Sequence, residues 1–115
     1  MARYLLDGAT LLAAMAAPFR LRSETHALIS DRANVILVSA ATFLDAYELE
    51  LDQKAAFSSL RGKLQSAVTQ MGFVSIETSP AHVDRAATLA AALPWPRRIL
   101  RAQSEILPAT LLTLE

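Results

Sequence analysis

Cysteine is absent from all 115 residues of the chain. Its absence excludes disulfides and thiolate metal sites and is compatible with a reducing cytoplasm, the location we expect. Net charge is absent too, since eleven Lys and Arg offset eleven Asp and Glu. No overall positive field therefore draws in nucleic acid, and such contact would have to come from a local patch. No apolar run approaches the roughly 18 residues that a membrane span requires. Arg3, "LLAAMAA" and Pro18 loosely imitate a secretory leader, but Asp7 and Gly8 interrupt its would-be apolar region. Repeats, low-complexity tracts and linkers are also missing.

What is present points to one compact domain over residues 1–115. The hydrophobic share of 53% against 19% charged implies at least one deeply buried layer. "YLL" at 4–6, "VILVS" at 35–39, "FVSIETS" at 73–79 and "TLLTL" at 110–114 read as strands. Helical patterns lie between them, at about 9–17, 23–30, 40–50, 54–71, 81–92 and 97–106. Gly72 is placed to end a helix in the left-handed conformation, and Ser79-Pro80 supplies a cap and a first-turn proline. Pro94 and Pro96 are expected to break the chain around Trp95. Strands separated by helices imply parallel pairing, hence an α/β sandwich with a sheet of about four strands.

In such sheets ligands bind beyond the carboxyl ends of the strands, and Asp7 stands at one of those ends. Alone, Asp7 reads as the N-cap of the helix that follows. Asp45, near the start of the helix after the second strand, is the acid a parallel sheet would bring toward it. Thr42, Asp45, Glu48 and Asp52 follow one another at spacings of three and four, the mark of one helical face and equally of a solvated stripe. Clustered carboxylates repel one another, so a site built from several of them holds a hard divalent cation, magnesium or manganese. Such an ion polarises a phosphodiester and generates hydroxide for its hydrolysis.

The order of segments resembles the PIN-domain proteins, in particular the VapC-type toxins of bacterial toxin–antitoxin pairs. The resemblance begins in "RYLLDGATLL" (family pattern YLLDTHxLLW) and continues through "ALISDRANVILVSAATFLDAYEL" (pattern ending VSAASxWEIAIK). It extends over "MGFVSIETSPAHVDRAATLAAALPW" (pattern GFxxLPITxxHAxxAxxLPxH) and ends in "RILRAQSEILPATLLTLE" (pattern RLLIAQAxxExLxLVTxD). Nearly the whole chain is covered. The resemblance implies a three-layer α/β/α sandwich, a magnesium-dependent endoribonuclease site of acids, homodimers, and a groove blocked by an antitoxin peptide. By position Asp7 matches the first family acid, Asp45 the second and Glu115 the last, so these three are the candidate metal ligands and Asp7 and Asp45 the candidate catalytic residues.

The chain departs from the pattern at two places. Gly8-Ala9 stands where the family has a hydroxyl residue, displacing the hydroxyl to Thr10. In "LPWPRRILRAQ", residues 93–103, Pro96-Arg97 replaces the loop that carries the third acid. A cation in that place removes a ligand and opposes the metal; two unit charges ~4 Å apart interact by about 4 kcal/mol at an effective dielectric of about 20. The expectation is therefore a degenerate VapC-like domain that keeps its fold and its dimer and antitoxin surfaces, with ribonuclease activity impaired or lost. The alternative is an active Mg2+- or Mn2+-dependent endoribonuclease using Asp7 and Asp45, supplemented by Glu48 or Glu115.

Other residues take structural roles. Arg97, Arg98 and Arg101 form a basic cluster able to meet RNA phosphates, but Arg101 and Glu105 stand at the spacing of a surface pair. His26 and His82 have no nearby nucleophile, and His82 is assigned to packing or capping. Trp95 is expected to plug the core at a tight bend. Leu11, Leu12, Met15 and Phe19 give the first helix an apolar face, for burial or for a partner. The segment 54–71 carries Phe57, Leu60, Leu64, Val68 and Met71 on another.

Overall fold

The computed structural model describes residues 2–51 and 61–114. Four strands alternate with helices: β1 (Arg3–Leu6), α1 (Gly8–Ala16), α2 (Ser23–Ser30), β2 (Val35–Ser39), α3 (Ala40–Leu51), α4 (Leu64–Gln70), β3 (Val74–Ile76), α5 (Pro80–Ala87), α6 (Trp95–Ile106) and β4 (Thr110–Leu112). A single 3-10 turn, Pro18–Arg20, follows α1. The strands form one wholly parallel sheet in the order β3-β2-β1-β4. Leu5 pairs with Leu37 on one side and with Leu111 on the other, which makes β1 an inner strand. The α/β class and the four-stranded parallel sheet agree with the sequence reading.

Side-chain alternation along the strands produces the layers. Leu5, Leu37, Ile76 and Leu111 point to one face, where Ala86 of α5 and Ile99, Leu100 and Ala102 of α6 cover them. Leu6, Ile36, Val38 and Leu112 point to the other face, against Leu11 of α1, Ile29 of α2 and Val68 of α4. Covered on both faces, the two inner strands carry apolar runs, Tyr4–Leu6 and Val35–Val38, while the edge strand β3 is more exposed and holds Ser75. Helix α3 packs against both α1 and α6. It contributes Ala41 to the first cluster and Phe43 to the second, so its start bridges the two outer layers beyond the strand ends.

Several boundaries differ from expectation for local reasons. β3 stops at Ile76 instead of running to residue 79. Beyond it the Glu77 carbonyl accepts from Gln103 and Ser79 caps α5, so neither is available to the sheet. Helix α5 ends at Ala87 instead of 92, where the Thr88 hydroxyl donates to the Arg85 carbonyl. Helix α6 begins at Trp95, two residues early, because Pro96 falls in the first turn, where the missing N–H has no partner to lose. The helix expected over 54–71 is α4 from Leu64 onward: Arg61 to Lys63 form a turn, with Gly62 at φ 79°. Phe57, Leu60 and Asp52 lie outside the described residues. Gly72, also at φ 79°, follows α4 in the left-handed conformation expected of it.

Two packing expectations are corrected. Trp95 is not a core plug; it is 46% exposed, and the Arg98 guanidinium lies 3.8 Å from its ring centroid. Phe19 leaves the apolar face it was grouped with, because Pro18 ends α1 and turns the chain; Leu11 and Leu12 are buried but Phe19 is 86% exposed.

Candidate functional site

The strand order defines where a site can form. Chain connections step from β1 outward through β2 to β3, then return to place β4 on β1's other side. At such a reversal the crossovers leave in opposite directions and open a crevice beyond the carboxyl ends of the two strands. Here the two strands are β1 and β4, and the first residue beyond β1 is Asp7.

Asp7 caps α1: its Oδ1 accepts the Thr10 N–H at 2.8 Å. It is only 3% exposed, and burial pushes its carboxyl above the ordinary range. The Thr10 hydrogen bonds oppose that rise, the neighbouring Asp45 charge adds to it, and Arg97 opposes it. Asp45 is buried as well, at 5% exposure, and its Oδ2 accepts the Gly8 N–H at 2.8 Å. The two expected acids are thus brought together at the start of α1, one capping the helix from before it and the other from across the α1–α3 contact. Among the described residues of that face Glu48 is exposed, while Thr42 and Asp45 turn inward. Glu115 lies outside the described residues.

Gly8 makes this approach of α1 and α3 feasible. A Cβ there would stand 2.4 Å from the Ala46 nitrogen and 2.7 Å from the Asp45 carbonyl carbon, both backbone atoms that cannot swing aside. Two hydroxyls complete the joint. Thr42 Oγ1 donates to the Leu6 carbonyl at 2.7 Å, and Thr10 Oγ1 donates to the Leu112 carbonyl at 3.3 Å. The hydroxyl of Thr10 therefore ties α1 to the end of β4.

Arg97, on the first turns of α6, reaches the same place from the opposite layer. Its Nε lies 3.9 Å from Asp45 Oδ1, an ion pair beyond hydrogen-bond distance, with the arginine side chain 40% exposed. With Gly8 on one oxygen and Arg97 near the other, Asp45 is neutralised within the chain. Beside this group a cavity of about 210 Å³ opens at the β1/β4 crevice. Leu93, Leu100 and Leu111 form its apolar wall; Asp7, Arg97, Arg101 and Thr113 supply polar groups.

Sequence reasoning missed Thr113 as part of this wall and Gly8 as a contact residue, and it grouped Arg101 with Arg97 and Arg98 while favouring a surface role for the three. Arg101 was expected to pair with Glu105, but Glu105 is taken by Arg85, whose Nη2 and Nε lie 2.9 and 3.0 Å from its Oε2. The spacing from Arg97 to Arg101, one helical turn, was the available signal. Arg98 is spent on Trp95 and does not join them. His82 does cap, as expected: its Nδ1 accepts the Ser79 N–H at 3.0 Å while Ser79 Oγ accepts from the His82 amide. Gln103 is fully buried beside it and donates to the Glu77 carbonyl at 3.0 Å.

A hard cation takes several oxygen ligands, and the carboxylates that supply them are commonly hydrogen-bonded as well. Here Asp7 Oδ1 and both Asp45 oxygens already face amides or a guanidinium, and burial favours the protonated form of Asp7. Among the described residues no three Asp, Glu or His side chains gather to hold a metal. Two acids and one cation meet here among the described residues, Asp7, Asp45 and Arg97. No protein-family model, curated protein or solved structure matches the chain. The functional reading therefore rests on this geometry and on the resemblance of the segments.

Proposed function

We propose that the chain is a degenerate VapC-like PIN domain: a former nuclease scaffold whose acidic pocket is neutralised from within, and whose role is to bind a partner chain. The observation that carries this reading is Arg97 beside Asp45, a cation from the chain itself standing where a metal-binding acid is expected. A guanidinium there supplies positive charge beside the buried Asp45 side chain. It also opposes a divalent ion at the same place. The partners the reading implies are a second copy of the chain and an antitoxin-type peptide. Phe19 in the turn after α1, Leu44 on α3, and Trp95 and Ile106 on α6 are exposed large apolar side chains on or beside the helices that build the site.

The convergence of Asp7 and Asp45 favours the alternative, an active magnesium-dependent endoribonuclease with a reduced acidic site. One experiment separates the two. Purified protein is incubated with structured and single-stranded RNA at millimolar Mg2+ or Mn2+, and its thermal melt is recorded with and without the ions. The expected result is no metal-dependent cleavage and no rise in Tm, with Arg97→Ala gaining a Tm response to Mn2+. Metal-dependent cleavage that is lost in Asp7→Asn would overturn the proposal and establish the alternative.

A further inference from the structure

We infer that the cavity at the β1/β4 crevice is a binding site for a small oxyanion, a carboxylate or phosphate group carried on a short apolar body. This deepens the functional reading above by naming what the neutralised pocket accepts.

The charges that meet solvent decide what the cavity attracts. Asp7, which lines the cavity, is 3% exposed and has an oxygen turned to the Thr10 amide. Asp45 does not line the cavity at all. The cations are the accessible groups: Arg97 is 40% exposed and Arg101 is exposed. Both stand on one face of α6, four residues apart, and both line the wall. Among the described residues Arg101 has no carboxylate partner, because Glu105 is held by Arg85. An uncommitted guanidinium presents a planar fork of donors that matches carboxylate and phosphate oxygens. Arg97 adds charge to the same side without being wholly spent on Asp45, since its contact is 3.9 Å and leaves its other nitrogens unassigned to that acid.

The other walls set size and character. A volume of about 210 Å³ is below the range of drug-sized ligand pockets and several times the share of one water. Leu93, Leu100 and Leu111 give one side nothing to hydrogen-bond with, which suits a short alkyl or ring body behind the charged head. Thr113, just past β4, offers a further polar group at the rim. Placement at the sheet's reversal point, where crossovers diverge, explains why a hollow exists there at all.

The test is an amide-resonance titration of the full chain at constant ionic strength, with inorganic phosphate in one arm and butyrate in the other. Saturable shifts centred on Leu111, Thr113 and Arg101 are expected in at least one arm. Saturation by phosphate alone identifies the phosphate source, and by butyrate alone the carboxylate source; either supports the site. Arg101→Gln should weaken binding about tenfold or more, Arg101→Lys should weaken it less, and Arg22→Gln, at an exposed residue that does not line the cavity, should leave it unchanged. Shifts that never saturate, that spread over surface arginines, or that persist in Arg101→Gln would overturn the inference. RNA cleavage reports on the acids and anion uptake on Arg101, so each reading can fail without the other.

Discussion

Asp7 serves two opposed demands at one atom group. As an N-cap it must accept from Thr10, which favours the carboxylate; as a buried side chain it is driven toward the neutral acid. Burial is the larger effect, so the folded chain retains this proton at a pH where the unfolded chain has released it. The linkage follows in sign. Asp7's contribution to stability is fully present below the ordinary aspartate value of 3.8 and is lost as pH rises toward the raised value of the folded state. Asp7→Asn keeps an acceptor for the Thr10 amide and never ionises. The difference in Tm between Asp7→Asn and the parent chain should therefore grow in the variant's favour from pH 3.5 to pH 7, read by thermal melts across that range. A difference independent of pH would show that the carboxyl is not held up by its surroundings.

At the scale of elements, the joint of α1 with α3 is the contact on which the site depends. An exposed helical glycine replaced by alanine gains stability, up to about 1 kcal/mol. Gly8 reverses that sign, because the added methyl would meet the backbone of Ala46 and Asp45. Gly8→Ala should cost about 1–3 kcal/mol, the range for overpacking a tight contact, measured by urea unfolding. A neutral or stabilising result would mean that the two helices are not this close. The same contact accounts for the residue type: a β-branched hydroxyl side chain after Asp7 is incompatible with α3 at its present distance. On the opposite layer the Ser79–His82 box and Gln103 hold α5 and the strand end to α6.

Across the whole molecule, β1 is the organising strand. It pairs on both edges, carries Leu5 into one layer and Leu6 into the other, and ends at Asp7. Leu5 is fully buried, and Leu5→Ala should cost about 2–5 kcal/mol through lost burial and the cavity left behind. In urea the loss should appear as one cooperative transition, with the same midpoint by far-ultraviolet circular dichroism and by Trp95 fluorescence. Two separate midpoints would mean that the layers on either side of the sheet unfold independently. Among the described residues no helix is long and apolar enough to cross a membrane.

Much of the architecture was legible in the sequence because it is written in local chemistry. Apolar runs bounded by Asp7, Gly72 and Ser79-Pro80 mark strands and helix ends through backbone sterics and capping, which act over a few residues. Parallel pairing follows from the helical stretches between strands. The site was legible only in part. Asp7 and Asp45 could be paired in advance, since both follow strand ends in a parallel sheet. The partner of Arg85, the exposure of Trp95, the closeness that demands Gly8, and the shared wall of Arg97 and Arg101 depend on how three layers settle against one another. That settling sums many weak contacts between residues distant in the chain, and spacing along a single strand or helix carries no record of it.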